Sequence, residues 1–215
     1  MKGMTKILIP VVIAAAGFVA CEKDDSEPVN QPLVVQTISD LDADTIVGIA
    51  PSGQPYGSGK FTFFSLVDNA IVATADSATT KWDIGFRGTT IITNSGNSGP
   101  GQGGAFVYVG TFDDLQEISP DSVFRIDNAP SAYAIRTGSN NGWYTYNAPV
   151  NLVTPIPGRV LVIKTAGGKF AKLEILNYYK GGVTPDATAS DEDKLKKQRY
   201  YTFRFVLQDD GSKKF

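Results

Sequence analysis

Past residue 32 apolar and polar positions alternate with a period of two, the pattern of strands that bury one face. Leu33-Val34-Val35-Gln36-Thr37-Ile38 predicts a first strand and Thr45-Ile46-Val47-Gly48-Ile49 a second. Residues 51–59, rich in Pro, Gly and Ser, read as a loop. Strand patterns resume over 60–67 and, after an Asp68-Asn69 turn, over 70–73. Residues 82–87, 89–93 and 105–109 predict three more strands, with a long glycine-rich loop over 94–104. Phe112, Leu115 and Ile118 are spaced by three, which predicts one or two helical turns ahead of Pro120. The clearest hairpin joins 159–165 to 169–179. β-Branched residues fill its first arm, and Gly167-Gly168 supplies the positive φ of a tight turn. In the second arm Phe170, Lys172, Glu174 and Leu176 share a face mixed enough to be expected to meet water in part. Residues 191–197 are a charge run, read as a solvated loop or short helix, and 199–208 predict a long last strand. The sum is one all-β, largely antiparallel domain over residues 33–215, with few short helical turns and no repeat.

The N-terminus follows a different pattern. Lys2 and Lys6 precede an apolar run from Ile7 to Ala20, and small residues lead into Cys21. That is the layout of a secretory signal over residues 1–20. The run is shorter than the ~20 residues of a membrane-spanning helix. Phe18-Val19-Ala20-Cys21 resembles the lipobox of bacterial lipoproteins, which implies a diacylglycerol on Cys21 and membrane lipid as its partner. Each buried methylene of such a chain contributes ~0.8 kcal/mol, so two or three chains anchor durably. Cys21 is the only cysteine, so no internal disulfide can form. Residues 21–32 read as a lipidated flexible tether. Within it Glu22-Lys23-Asp24-Asp25 resembles the signal that sends Bacteroidetes lipoproteins to the outer face of the outer membrane.

Charge and absent residue types narrow the chemistry. The chain holds 20 basic and 22 acidic residues; without Lys2 and Lys6 the balance is 18 against 22. That excludes the basic character of a general nucleic-acid binder. With no histidine, the usual general base, nucleophile partner and commonest metal ligand are all missing. The acids at 40–44, 113–114 and 209–210 fall in or beside turns, where carboxylates cap backbone amides, so the chain reads as no enzyme. The glycine-rich loop lacks the Gly-Lys-Ser/Thr ending of a phosphate cradle and reads as flexibility or close backbone approach. What remains is aromatic. Tyr133, Trp143, Tyr144 and Tyr146 lie around the loop-forming residues 138–142, either lining a ligand pocket or filling the core.

The order of several stretches resembles the HmuY family of haem-binding lipoproteins. These are Phe63-Phe64-Ser65-Leu66, Trp82-Asp83-Ile84-Gly85-Phe86-Arg87 with the residues from Asp76, and the 94–104 loop. Gly142-Trp143-Tyr144-Thr145-Tyr146-Asn147, Pro155-Ile156-Pro157-Gly158-Arg159, residues 169–179 and Tyr201-Thr202-Phe203-Arg204-Phe205 complete them. The resemblance implies an all-β fold, haem capture at the cell surface and delivery to a TonB-dependent outer-membrane receptor. The family's known haem binder holds iron between two histidines, and relatives use methionine. Here histidine is absent, and Met1 and Met4 leave with the signal. If haem binds, its iron is then expected to take tyrosinate, with Tyr133, Tyr144 and Tyr146 as haem-pocket candidates and Trp143 as a wall, or to stay unligated in an apolar slot. The alternative is a module of the same fold that serves a non-haem ligand or a partner receptor.

Overall fold

The computed structural model describes residues 33–52 and 54–215. The expected signal, Cys21 and the tether all lie outside the described residues. In chain order the strands are β1 (Gln36–Asp42), β2 (Gly48–Ile49), β3 (Pro55–Tyr56), β4 (Thr62–Ser65), β5 (Ala70–Val72), β6 (Ile84–Arg87) and β7 (Thr90–Thr93). There follow β8 (Gly104–Val109), β9 (Tyr144–Asn147), β10 (Leu152–Pro155), β11 (Arg159–Lys164), β12 (Phe170–Tyr179), the helix α1 (Asp191–Lys197) and β13 (Gln198–Gln208). Every strand pairing is antiparallel. The all-β, largely antiparallel expectation is what the chain forms.

A five-stranded sheet in the order β1-β13-β12-β11-β8 packs against a four-stranded sheet in the order β5-β4-β6-β7. Period two decides which side chains meet. Leu173 sits opposite Phe205, and Ile175 opposite Phe203, so these four project onto the same face. They meet Phe64, Ile84, Phe86 and Ile91 from the smaller sheet. Phe203 stacks on Phe86 at 5.5 Å and takes the edge of Phe64 at 5.6 Å. Burying each such ring contributes ~1.5–3 kcal/mol, so this seam holds the sheets together. The core residues lie between Leu41 and Val206, so the compact unit 33–215 carries its own core.

On the outer face of the large sheet one residue is sealed from water. Lys172 is only 5% exposed rather than wetted. Residues 112–118 cross above it without forming the predicted helical turns. Phe112, Leu115 and Ile118 instead point inward from an irregular segment pinned to the C-terminus. The Ile118 amide donates to Lys213 O at 2.8 Å and the Phe215 amide to Gln116 O at 2.7 Å. The spacing of three thus reflects a roof over the sheet, whose hydrogen bonds go outward to residues 213–215. Lys172 Nζ donates to Phe112 O and Leu115 O at 2.9 and 2.8 Å, and burial holds its ammonium below the ordinary lysine value. Leu176, at the far end of that face, is exposed and Phe170 and Glu174 are half-buried, so the face meets water in part as expected.

Strand boundaries move where carboxylates intervene. The first strand runs later than 33–38, because Asp40 at φ 55 forms a bulge and lets Leu41 pair with Tyr201. Of the second predicted strand only Gly48–Ile49 remains, since the Asp42 carboxylate accepts the Thr45 amide at 3.1 Å and turns the chain. The strand expected over 60–67 ends at Ser65, whose hydroxyl bonds Asp68. The charge run is the short helix α1, capped by Ser190 Oγ accepting the Asp193 amide, with acids in its first turn and lysines in its last.

Candidate functional site

The aromatic candidates separate in space. Trp143 is 1% exposed and Tyr144 is buried beside it, their rings 5.0 Å apart. Trp143 also packs against Tyr178 and Tyr201, and its indole N–H donates to Thr89 O at 3.0 Å. This pair is therefore core. Tyr146 projects from β9 toward solvent and donates its hydroxyl to Asn151 Oδ1 at 2.7 Å. Tyr133 lies elsewhere, half-buried against Phe63, Trp82 and Ile92 on the outer side of the small sheet.

Tyr133 lines an open cleft of about 240 Å³ together with Arg125, Ser131, Arg136, Thr137 and Asn141. The segment that carries it is held from below by Asp127, which is 1% exposed. Asp127 Oδ2 accepts the Thr93 amide at 2.9 Å and Oδ1 the Ala134 amide at 2.7 Å. Its own amide donates to Ser95 Oγ at 3.1 Å, and its carbonyl accepts from the Asn97 amide at 3.1 Å. Burial raises the Asp127 carboxyl above the ordinary value, while the two amides pull it down. Ala134 and Ile135 then enter the main core, which fixes the backbone between Tyr133 and Arg136.

The glycine-rich loop is the other half of this clamp. A Cβ on Gly96, at φ 54, would fall 1.9 Å from Asp127 O. Close backbone approach, and not freedom, explains the glycine there. Asp127, Arg125 and Arg136 were invisible to the sequence reading, because no local spacing links them. The buried tyrosines 178, 179 and 201 were also missed as a cluster, although all three sit in predicted strands.

Three of the tyrosines are closed to iron. Burial pushes the Tyr178 and Tyr201 phenols well above the ordinary value, and Tyr201 already donates to Gly88 O at 2.8 Å. The Tyr179 hydroxyl accepts the Val153 amide at 2.9 Å. These are neutral, sealed phenols. Among the described residues no group of three acidic, cysteine or histidine side chains could hold a metal ion. Of the donors that can hold a haem iron, the lining of the cleft supplies an oxygen, that of Tyr133, and no histidine or methionine.

The profile of the HmuY protein family matches residues 58–189, more than half of the chain. The chain belongs to the HmuY family. The matched part of this HmuY-family chain includes the cleft and leaves out β1 and β13, the two strands that close one side of the large sheet. Three solved structures are similar to different degrees. A candidate lipoprotein of Bacteroides fragilis superposes with a TM-score of 0.50 at 14% identity, covering 80% of this chain and 90% of its own. A candidate HmuY-like haem-binding protein of Bacteroides vulgatus gives 0.48 at 16%, covering 80% and 91%. The apo HmuY analogue of Tannerella forsythia gives 0.37 at 13%, covering 83% and 97%. No curated protein matches by sequence. None of the helices among the described residues is long and apolar enough to cross a membrane.

Proposed function

We propose that this HmuY-family chain is a lipid-anchored binding protein of the outer-membrane surface that captures ferric haem for uptake, and that it performs no catalysis. The carrying observation is that Tyr133, alone of the four aromatic candidates, lines an open cleft. When bound, haem supplies the iron chemistry; the chain binds and orients it. Tyr133 offers an oxygen donor, the Trp82 cluster backs that ring, and Asp127 holds the segment in place. At about 240 Å³ the cleft is smaller than the ~300–1,000 Å³ of ordinary ligand pockets, so a tetrapyrrole enters by one edge. The partner that fits uptake is a TonB-dependent outer-membrane receptor, and Cys21 is the lipid attachment.

Titrating ferric haem into residues 26–215 tests this reading. A high-spin charge-transfer band that disappears in Tyr133→Phe supports it, and a Soret band identical to that of free haem sinks it. A second reading is favoured by the absence of histidine and the polar lining of the cleft. In it the fold serves a non-haem ligand or docks directly to a receptor, and a receptor then co-purifies from membranes without haem.

A further inference from the structure

The cleft beside Tyr133 holds two guanidiniums, Arg125 and Arg136, and no carboxylate in its lining. Of the six arginines, Arg87, Arg199 and Arg204 direct their guanidiniums at carbonyls or a carboxylate of the chain. The ion pairs among the described residues involve neither Arg125 nor Arg136. The acid nearest in sequence, Asp127, has both oxygens committed to backbone amides.

Both arginines stand on fixed backbone. Arg125 exchanges two hydrogen bonds with Ala105 at the edge of the large sheet, each 2.9 Å. At the other side, a Cβ on Gly142 would come within 2.3 Å of Arg136 O, so the chain closes tightly over that residue. Thr137 and Ser131 add hydroxyls to the same cleft. Two planar cations with no acidic partner among the described residues thus stand on rigid supports at one cleft. A planar fork of N–H donors matches a carboxylate best, through paired charge-assisted bonds.

We propose that this cleft is a dicarboxylate-recognition site, in which Arg125 and Arg136 take the two carboxylates along one edge of a tetrapyrrole. This rests on the reading of the ligand as a tetrapyrrole, and it makes the acid edge, not the iron, the feature recognised. The protein then takes the iron-free ring as well as the ferric one.

The test compares ferric haem, iron-free protoporphyrin IX and ferric haem dimethyl ester on residues 26–215, with binding read by quenching of protein fluorescence. Protoporphyrin IX is expected to bind within a few-fold of haem, and the dimethyl ester about tenfold or more weaker. The double variant Arg125→Gln/Arg136→Gln is expected to weaken both free acids about tenfold or more and leave the ester unchanged. Both side chains are exposed, so an unaltered melting temperature confirms that the double variant is folded. An ester that binds as tightly as haem, a double variant that binds like the parent, or haem binding without protoporphyrin binding overturns the carboxylate site and leaves haem capture standing. Failure of all three ligands to bind removes both.

Discussion

The Ala134 amide donates to Asp127 Oδ1 at 2.7 Å, and that bond closes the segment which presents Tyr133. The other carboxylate oxygen reaches Thr93 at the end of β7. One buried side chain thus ties the cleft wall to the small sheet. Its role is positioning, because its side chain points away from the cleft into backbone amides.

Removing that tie has a defined cost. Asp127→Ala leaves two amides without an acceptor, at ~1–3 kcal/mol each, so a loss of about 2–6 kcal/mol is expected. Asp127→Asn keeps one acceptor oxygen and is expected to lose less. Amide exchange at Ala134 and Thr93 should accelerate in both variants, in the same order. Unchanged exchange at Ala134 would show that the segment is held by Ile135 alone.

The turn opposite gives a second expectation. Gly96→Ala places a methyl group against Asp127 O and forces an alanine into the left-handed region. The loop must shift, so the melting temperature is expected to fall and ligand affinity with it. An alanine variant that melts with the parent would mean the 94–97 turn is free to move, contrary to the clamp.

Asp83 provides the pH dependence. Its oxygens accept the Leu66 amide at 2.7 Å and the Ala166 amide at 2.8 Å, joining the small sheet to the β11–β12 turn. Burial raises its carboxyl above the ordinary 3.8, the amides only partly opposing this. The native chain therefore retains a proton that the unfolded chain has released. The resulting contribution is full below pH 3.8 and is lost as pH rises through the elevated native value. Urea unfolding of the parent and Asp83→Asn across that window is expected to show the parent losing stability relative to the variant as pH rises. A constant difference would mean that the carboxyl titrates normally.

How far the residues disclosed this arrangement depends on range. The β11–β12 hairpin was readable because β-branched alternation and Gly167-Gly168 are contiguous, and Val160 does face Glu174 as that turn requires. The segment 112–118 was misread because its spacing of three matches a helix, while its real partners at 213–215 are far along the chain. Lys172 looked wet for the same reason, since its roof comes from elsewhere. Trp143 and Tyr144 sit beside polar loop residues in sequence, but in space Trp143 packs against both Tyr144 and Tyr201. Arg125 and Arg136 line one cleft because Ala105 and the close approach of Gly142 fix their backbones, and no local pattern records that.

Lys172 itself can be tested. Lys172→Met removes the donor from two carbonyls of buried residues, and a loss of ~1–3 kcal/mol is expected. Lys172→Ala also opens a void under Phe112 and Phe215 and should cost more. Denaturant midpoints are expected in the order parent, Met, Ala. A methionine variant as stable as the parent would show that desolvating the ammonium costs as much as its two bonds return.

The four aromatic positions separate structural from binding roles. Trp143→Ala empties a fully buried site among Tyr144, Tyr178 and Tyr201 and is expected to cost ~3–5 kcal/mol. Tyr146→Phe loses one exposed hydrogen bond and should leave both stability and haem binding close to the parent. Tyr133→Phe removes a single hydroxyl from a half-buried ring, so its melting temperature should also stay close to the parent, while the ferric haem spectrum changes. That contrast is the informative one. If Tyr133→Phe binds ferric haem with an unaltered spectrum and Tyr146→Phe does not, the donor lies on the β9–β10 hairpin and the iron sits on the far side of β9 from Trp143.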